Sequence, residues 1–390
     1  MAKKIRRIGL LTAGGDCPGL NAVIRAVTKA AAGVHGMQVI GIEDGFAGLI
    51  HGKFRELTAQ NVSGLIQTGG TILGTSNRDN PFKYPVTNDR GELEFRDVFD
   101  QVRANYDKAH LEALVAVGGD GTMAMTAEMI KRGIPCVGVP KTIDNDLAAT
   151  DVTFGFDTVP CVGVPKTIDN DLAATDVTFG FDTALTVATE ALDRLHTTAS
   201  SHHRVMIMET MGRYAGWIAL YAGVAGGGDI ILLPELPFRL DRVCQKVLER
   251  NSRGKRFSIV VVAEGARPEG GEMVVRKVIK ESTDSLRLGG IGQQLADQVE
   301  ERTGIECRVT VLGHLQRGGS PTAFDRILGT RFGVKAAELA AAGDFGKMAA
   351  LKGLRVEAVT IAEAAGGLRR VEPDNEVVRA ARALGTAFGD

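Results

Sequence analysis

IRRIGLLTAGGDCPGLNAVIRAVTKAAA, residues 5–32, contains the pattern from which the rest of the chain can be parsed. A short apolar run stops at a glycine-rich turn and gives way to an amphipathic helical stretch, so strand, loop and helix follow in order. The plan returns in MQVIGIEDG (37–45) and in ALVAVGGDGTMAMTAEMIKRG (113–133). Further on, ALTVATEALDRLHTTASSHH (184–203) predicts a long helix, RVMIMET (204–210) a strand, GWIALYAGVAGG (216–227) a helix and DIILLPE (229–235) a strand. RFSIVVVAEGA (256–266) and CRVTVLGHLQRGG (307–319) are strand-to-loop units again. Strands alternating with helices predict an α/β fold, with mostly parallel sheets flanked by helices on both faces. In such sheets the loops at the carboxyl ends of the strands form the ligand crevice. Nearly every charged or glycine-rich motif of this chain falls at such an end.

At 390 residues the chain is too long for one small core, so one large α/β domain or two intertwined ones are predicted. A net charge of −1 provides no basic field for nucleic acid, and one Trp and four Tyr leave little aromatic surface for stacking on bases. The five cysteines (Cys17, Cys136, Cys161, Cys244 and Cys307) show no metal-ligand spacing, and an odd number points to reduced thiols of the cytosol. The start, MAKKIRRIGLLTAGG, is broken by glycine too soon for a signal peptide. The longest uncharged apolar stretch, Ala215–Gly228, is too short and glycine-rich for a membrane span. A soluble, cytoplasmic protein with no nucleic-acid or membrane partner is the expectation.

One segment is written twice. PCVGVPKTIDNDLAATDVTFGFDT runs from Pro135 to Thr158 and again from Pro160 to Thr183. With Ile134 and Val159 as leading residues the unit is 25 long and differs only there. A solenoid needs about three or more units, so the pair reads as a tandem duplication. The repeated TIDND is a dense acidic and amide cluster in apolar surroundings. It offers two candidates for one chemical task, Asp144 and Asp169.

Several loops suit phosphate. In GGDCPGLN (14–21) the glycines permit close backbone approach, and the following helix N-terminus favours an anion. No GK[ST] follows, so this is not a Walker A loop; a purely structural turn is the plainer reading. GGDGT (118–122) sets Asp120 at a strand end, where it suits Mg²⁺ or simply caps a helix. GGTILGTSNR ends in Arg78, MGRYAGW contains Arg213, SSHHR ends in Arg204, and CRVTVLGHLQR holds Arg308, His314 and Arg317. Singly each reads as a solvated cation; together they carry enough positive charge for two phosphate groups.

In this order GGDCPGLN, GGTILGTSNR, GGDGT, PKTIDND, SSHHR, MGRYAGW, AEGAR and RVTVLGHLQRGGSP resemble the 6-phosphofructokinases. The resemblance implies two Rossmann-like lobes: residues 1–180 with about 320–390 as a larger ATP-binding lobe, and 181–319 as a smaller sugar-phosphate lobe. It implies ATP-dependent phosphorylation of fructose 6-phosphate at the 1-hydroxyl, with Mg²⁺, giving fructose 1,6-bisphosphate and ADP. Asp169, or its duplicate Asp144, would take the hydroxyl proton, with Thr167 (or Thr142), Ile168 and Asp171 (or Asp146) around it. Arg213 would stabilise the transition-state charge and Asp120 would coordinate the metal. Gly14, Arg78, Gly119, Gly121 and Thr122 would hold ATP, while Met211, Gly212 and Glu264 would contact the sugar. Arg204, Arg308, His314, Leu315, Gln316 and Arg317 match the 6-phosphate pocket. The counterparts of Arg204 and Arg308 reach in from a neighbouring subunit, which implies a homo-oligomer, dimer or tetramer. In the family Gly at position 121 accompanies ATP and Lys at position 166 (and 141) accompanies pyrophosphate. This chain has both, as in ATP-using members of the mixed-substrate group. The alternatives are the pyrophosphate-dependent enzyme and an oligomer that binds ligand but is disabled by the duplication.

Between the copies, the second is expected to supply strand, TIDND loop and helix as one contiguous unit. Residues 134–158 would then bulge from the turn after MIKRG, opposite the crevice, where an insertion disturbs least.

Overall fold

Two parallel sheets organise the chain in a computed structural model that describes residues 5–76, 79–88, 91–134, 136–141, 162–163, 167–278, 286–360, 363–364 and 367–390. From the amino end run β1 (Arg7–Thr12), α1 (Leu20–Gly33), β2 (Gln38–Ile42), α2 (Phe46–His51) and β3 (Phe54–Leu57). The hairpin β4 (Tyr84–Thr87) and β5 (Leu93–Arg96) leads to α3 (Phe99–Lys108), β6 (Ala113–Gly119) and α4 (Asp120–Lys131). The two copies contribute β7 (Cys136–Lys141) and β8 (Val162–Gly163), followed by α5 (Phe181–His202). Next come β9 (Val205–Thr210), α6 (Trp217–Ala225), β10 (Ile230–Leu232), α7 (Leu240–Ser252) and β11 (Ser258–Ala263). The hairpin β12 (Val275–Val278) and β13 (Leu286–Leu288) precedes α8 (Ile291–Thr303) and β14 (Cys307–Val311). A 3-10 turn (Gly313–Arg317), α9 (Ala323–Ala342), β15 (Lys347–Lys352), β16 (Arg355–Thr360) and a last helix (Glu376–Ala383) complete the order.

The first sheet runs β3-β2-β1-β6-β7 and is parallel except for β3; the second, β10-β11-β9-β14, is parallel throughout. Every residue of β9 and β11 is buried. Strands covered on both faces read as continuous apolar runs, as in VMIMET and SIVVVA. One apolar core runs from Ile8 and Val115 of the first sheet through Phe181 and Trp217 to Ile231 and Ile259 of the second, so the two sheets share packing. α1 lies so close to α9 that a Cβ at Gly333 would stand 2.7 Å from the Cβ of Ala26. The expected parallel units are all present. The antiparallel hairpins β4–β5, β12–β13 and β15–β16 were not foreseen, because short mixed-polarity segments give no clear period. Among the described residues no helix is long and apolar enough to cross a membrane.

The duplicated strand departs from expectation. Copy one, not copy two, pairs with β6, from Leu114↔Cys136 to Gly119↔Lys141. Copy two instead pairs with β15, through Lys347↔Val162 and Met348↔Gly163. Residues 134–158 therefore do not leave the sheet as a whole at the turn after MIKRG. Copy one is the first apolar run after α4, so placing it beside β6 needs only a short connection and little closure entropy.

Candidate active site

The carboxyl ends of β1 and β6 are joined to the loop 71–76. Ala13 N donates to Val117 O at 2.8 Å and Gly14 N to Ser76 O at 2.9 Å. Thr12 Oγ1 donates to Gly74 O at 2.7 Å, and the Thr75 hydroxyl donates to the Gly14 carbonyl. Gly14 has φ 78°, a conformation that favours glycine. Asn21, in the first turn of α1, holds the preceding loop by donating to Thr68 O and Gly69 O and accepting from Ile72 N. Gly119 ends β6 and Asp120 opens α4 with no residue between them, so Asp120 and Gly121 stand at a helix N-terminus. Thr122 is buried and folds against Gly118, where a Cβ would lie 2.2 Å from its Oγ1. Arg78, Thr142, Asp144, Asp146 and Lys166 lie outside the described residues.

The second copy's acidic loop is enclosed: Thr167, Ile168 and Asp169 are fully buried, and Asn170 and Asp171 nearly so. Thr167 Oγ1 accepts from Asp169 N at 3.0 Å, and Thr178 Oγ1 donates to Thr167 O at 2.6 Å. Asn170 is left-handed at φ 54°, which asparagine tolerates, and its Oδ1 accepts from Thr178 N. The start of α5 is then tied to α9. Asp325 accepts from Gly180 N and Thr183 N, each at 2.8 Å, and from Thr183 Oγ1 at 2.5 Å. Burial pushes the Asp325 carboxyl up to about 6. Thr322 caps α9 by accepting from Asp325 N. The spacing Thr322-x-x-Asp325 is a helix-start signal that could have been read from sequence.

Met211, Gly212 and Arg213 follow β9, and Glu264 follows the neighbouring β11. Glu264 N donates to Thr210 O at 2.9 Å, and Arg213 N donates to Glu264 Oε1 at 3.3 Å. Arg213 is buried in a left-handed conformation (φ 46°) that costs a non-glycine residue about 1 kcal/mol, and its Nη2 donates to Leu286 O. A Cβ at Gly265 would stand 1.6 Å from the Arg213 carbonyl oxygen, so the glycine of AEGAR makes this arrangement possible. In the 3-10 turn His314 and Leu315 face solvent while Gln316 and Arg317 are buried. Arg317 Nη1 donates to Asp16 O at 3.4 Å and so joins this turn to the GGDCPGLN loop of the first sheet. Gln316 Oε1 and Arg317 Nε are buried with no hydrogen-bond partner, the state of polar groups that a polar ligand satisfies.

Sequence reasoning missed Glu209, although it is the lone acid in the strand VMIMET. Its carboxylate accepts from Gly290 N and Gly292 N at the start of α8, and its carbonyl accepts from Leu312 N before the 3-10 turn. Arg204 and Arg308 stand apart from the other site residues. They lie at the amino ends of β9 and β14, where both pair with Glu306. Six strand residues separate Arg204 from Met211, roughly 20 Å of extended chain, so the structure does not bring the two arginines to their own chain's crevice.

The phosphofructokinase family model matches residues 7–160 and again 158–340, and its break falls where the two copies meet. ATP-dependent 6-phosphofructokinase from Chloroflexus aurantiacus is 51% identical over 392 residues, covering 100% of this chain and 99% of its own. ATP-dependent 6-phosphofructokinase 2 of Clostridium perfringens is 48% identical over the full length of both chains. Pyrophosphate–fructose 6-phosphate 1-phosphotransferase from Amycolatopsis methanolica is 48% identical, covering 94% of this chain and 97% of its own. Among solved structures, Pichia pastoris phosphofructokinase in the T-state superimposes with a TM-score of 0.73 at 28% identity, over 98% of this chain and 37% of that one. Sequence along the whole length and fold agree: the chain belongs to the phosphofructokinase family.

Proposed function

We propose that the protein transfers the γ-phosphoryl group of ATP to the 1-hydroxyl of fructose 6-phosphate, as an ATP-dependent 6-phosphofructokinase of glycolysis. The observation that carries this reading is the enclosed Thr167–Asp171 loop beside one continuous core that also seats the Arg213 loop. Asp169 accepts the proton of the 1-hydroxyl as its oxygen bonds to the γ-phosphorus. The bond from that phosphorus to the β-bridging oxygen breaks, and ADP departs with the electron pair. Such a transfer needs mainly in-line positioning, a base near the hydroxyl and cations around the moving charge. Arg213 supplies the protein's cation; its backbone N–H donates to Glu264 and its guanidinium to the Leu286 carbonyl.

Magnesium binds through one or two carboxylates together with phosphate oxygens and water, and when bound it neutralises charge on the donor phosphates. Asp169 and Asp171, buried on one loop, supply oxygen donors of the kind such an ion takes. Asp120, at the start of α4, is our metal-coordinating residue, and Gly14, Gly119, Gly121, Thr122 and Arg78 are our ATP contacts. Met211, Gly212 and Glu264 would hold the sugar; Gln316 and Arg317, with His314 and Leu315, would hold its 6-phosphate. Arg204 and Arg308, too far from their own crevice, would complete a neighbour's pocket in a cytoplasmic homo-oligomer. We read residues 1–180 with about 320–390 as the nucleotide lobe and 181–319 as the sugar lobe.

Steady-state kinetics with ATP and with pyrophosphate, each with fructose 6-phosphate, tests the reading. Turnover should require ATP. Turnover with pyrophosphate alone would favour the second reading, to which Lys166 and the Amycolatopsis relative point. Calorimetric binding without turnover would favour an oligomer disabled by the duplication.

A further inference from the structure

At one residue, Arg369, the segment after β16 meets both the Asn170–Asp171 loop and Trp217, the residue that follows the Arg213 loop. Its backbone N donates to Asp171 O at 2.7 Å, and its Nη1 donates to Asn170 O at 3.2 Å. One residue earlier, Leu368 bridges to Leu172. The guanidinium carbon sits 4.4 Å from the centroid of the Trp217 ring, and Trp217 Nε1 donates to Arg369 O at 2.8 Å. Trp217 opens α6 and closes the word MGRYAGW that contains Arg213. Two residues later Val371 N donates to Glu235 Oε1, and the same carboxylate accepts from Gly216 N, the residue before Trp217.

We infer that Arg369 is a positioning residue for phosphoryl transfer: it fixes the loop carrying Asp169 against the loop carrying Arg213. The inference rests on the activity proposed above. Asn170 holds a left-handed backbone conformation whose carbonyl must point in one direction. Two donors from Arg369 grip consecutive carbonyls there, while the indole grips Arg369 by ring face and by N–H. A guanidinium suits the task because it is flat enough to lie on the ring while an edge N–H reaches the carbonyl. Small errors in the placement of reacting groups are costly in rate. Arg369 does not touch the reacting atoms itself; it sets the separation of the two groups that do.

The test compares Arg369→Gln, Arg369→Lys and Trp217→Phe with the parent protein. Arg369→Gln should lower kcat roughly 10- to 100-fold while KM for ATP and for fructose 6-phosphate changes less than about 3-fold. Arg369→Lys, which keeps a donor but loses the flat ring contact, should recover part of kcat. Trp217→Phe, which keeps a ring but loses the N–H, should show a smaller loss in the same direction. Amide hydrogen exchange should quicken over residues 167–178 in Arg369→Gln and stay unchanged in β9 and β11. A kcat within about 2-fold of the parent overturns the inference, as does faster exchange spread over the whole chain. Because exchange needs no turnover, an inactive parent would refute the proposed function, and the exchange pattern would still judge the clamp.

Discussion

CVGVPK occurs at Cys136–Lys141 and at Cys161–Lys166, and the two identical words find different neighbours. The first is a six-residue strand against β6, whereas the second pairs with β15 through Val162 and Gly163. The comparison extends to GFDT, at 155–158 and 180–183. The later one is held by Asp325 at Gly180 and Thr183 and runs directly into α5. Local sequence cannot distinguish the copies, because their propensities, patterns and turn residues are the same. Connection and scarcity separate them instead: there is one β6 edge, one Asp325 and one Arg369. Copy one is nearest along the chain to β6, and copy two is nearest to the helix that Asp325 caps.

The strongest way to break this division of labour is to remove each candidate base. Asp169→Ser should lower kcat with ATP and fructose 6-phosphate by about 10²- to 10⁴-fold, while Asp144→Ser should stay within about 2-fold of the parent. Equal partial losses in both would mean that the copies exchange places in the site. The Asp325 contact sharpens the comparison through pH. Its folded value of about 6 lies above the ordinary 3.8. Stability from this group is therefore fully present below about pH 4 and is lost as pH rises through 6. The stability advantage of the parent over Asp325→Asn should shrink across that window by up to about 3 kcal/mol, read from urea midpoints. An advantage that grows with pH would contradict a buried carboxyl at the start of α5. The smallest effect is expected from deleting residues 134–158. The remaining strand has two edges and can pair with β6 and β15 together, and closure of roughly 20 extra residues, on the order of 2 kcal/mol, is relieved. Tm should rise by a few degrees with kcat retained; a fall in both would show that copy one is integral to the sheet.

Much of the architecture was legible in advance. RVMIMET, RFSIVVVAEGA and GWIALYAGVAGG announced β9, β11 and α6 because buried strands and helices carry their period in the chain. Gly14, Arg213, Glu264 and Arg317 could be singled out because their motifs lie at strand ends. Glu209 and Arg369 could not. Glu209 is one acid in an apolar strand whose partners, Gly290 and Gly292, lie about eighty residues away. Arg369 sits in a tail without a distinctive motif, about two hundred residues from the carbonyls it holds.

The alternation of strand and helix was enough to specify a parallel α/β chain, because that property depends on near neighbours in sequence, and the order of the glycine-rich words carried the resemblance to the phosphofructokinases. Which copy of CVGVPK joined the first sheet, which GFDT met Asp325, and which cation gripped Asn170 were settled only on folding. The last two depend on a single partner brought from far along the chain and the first on which copy lies a short connection from β6, and two identical segments cannot both occupy one place.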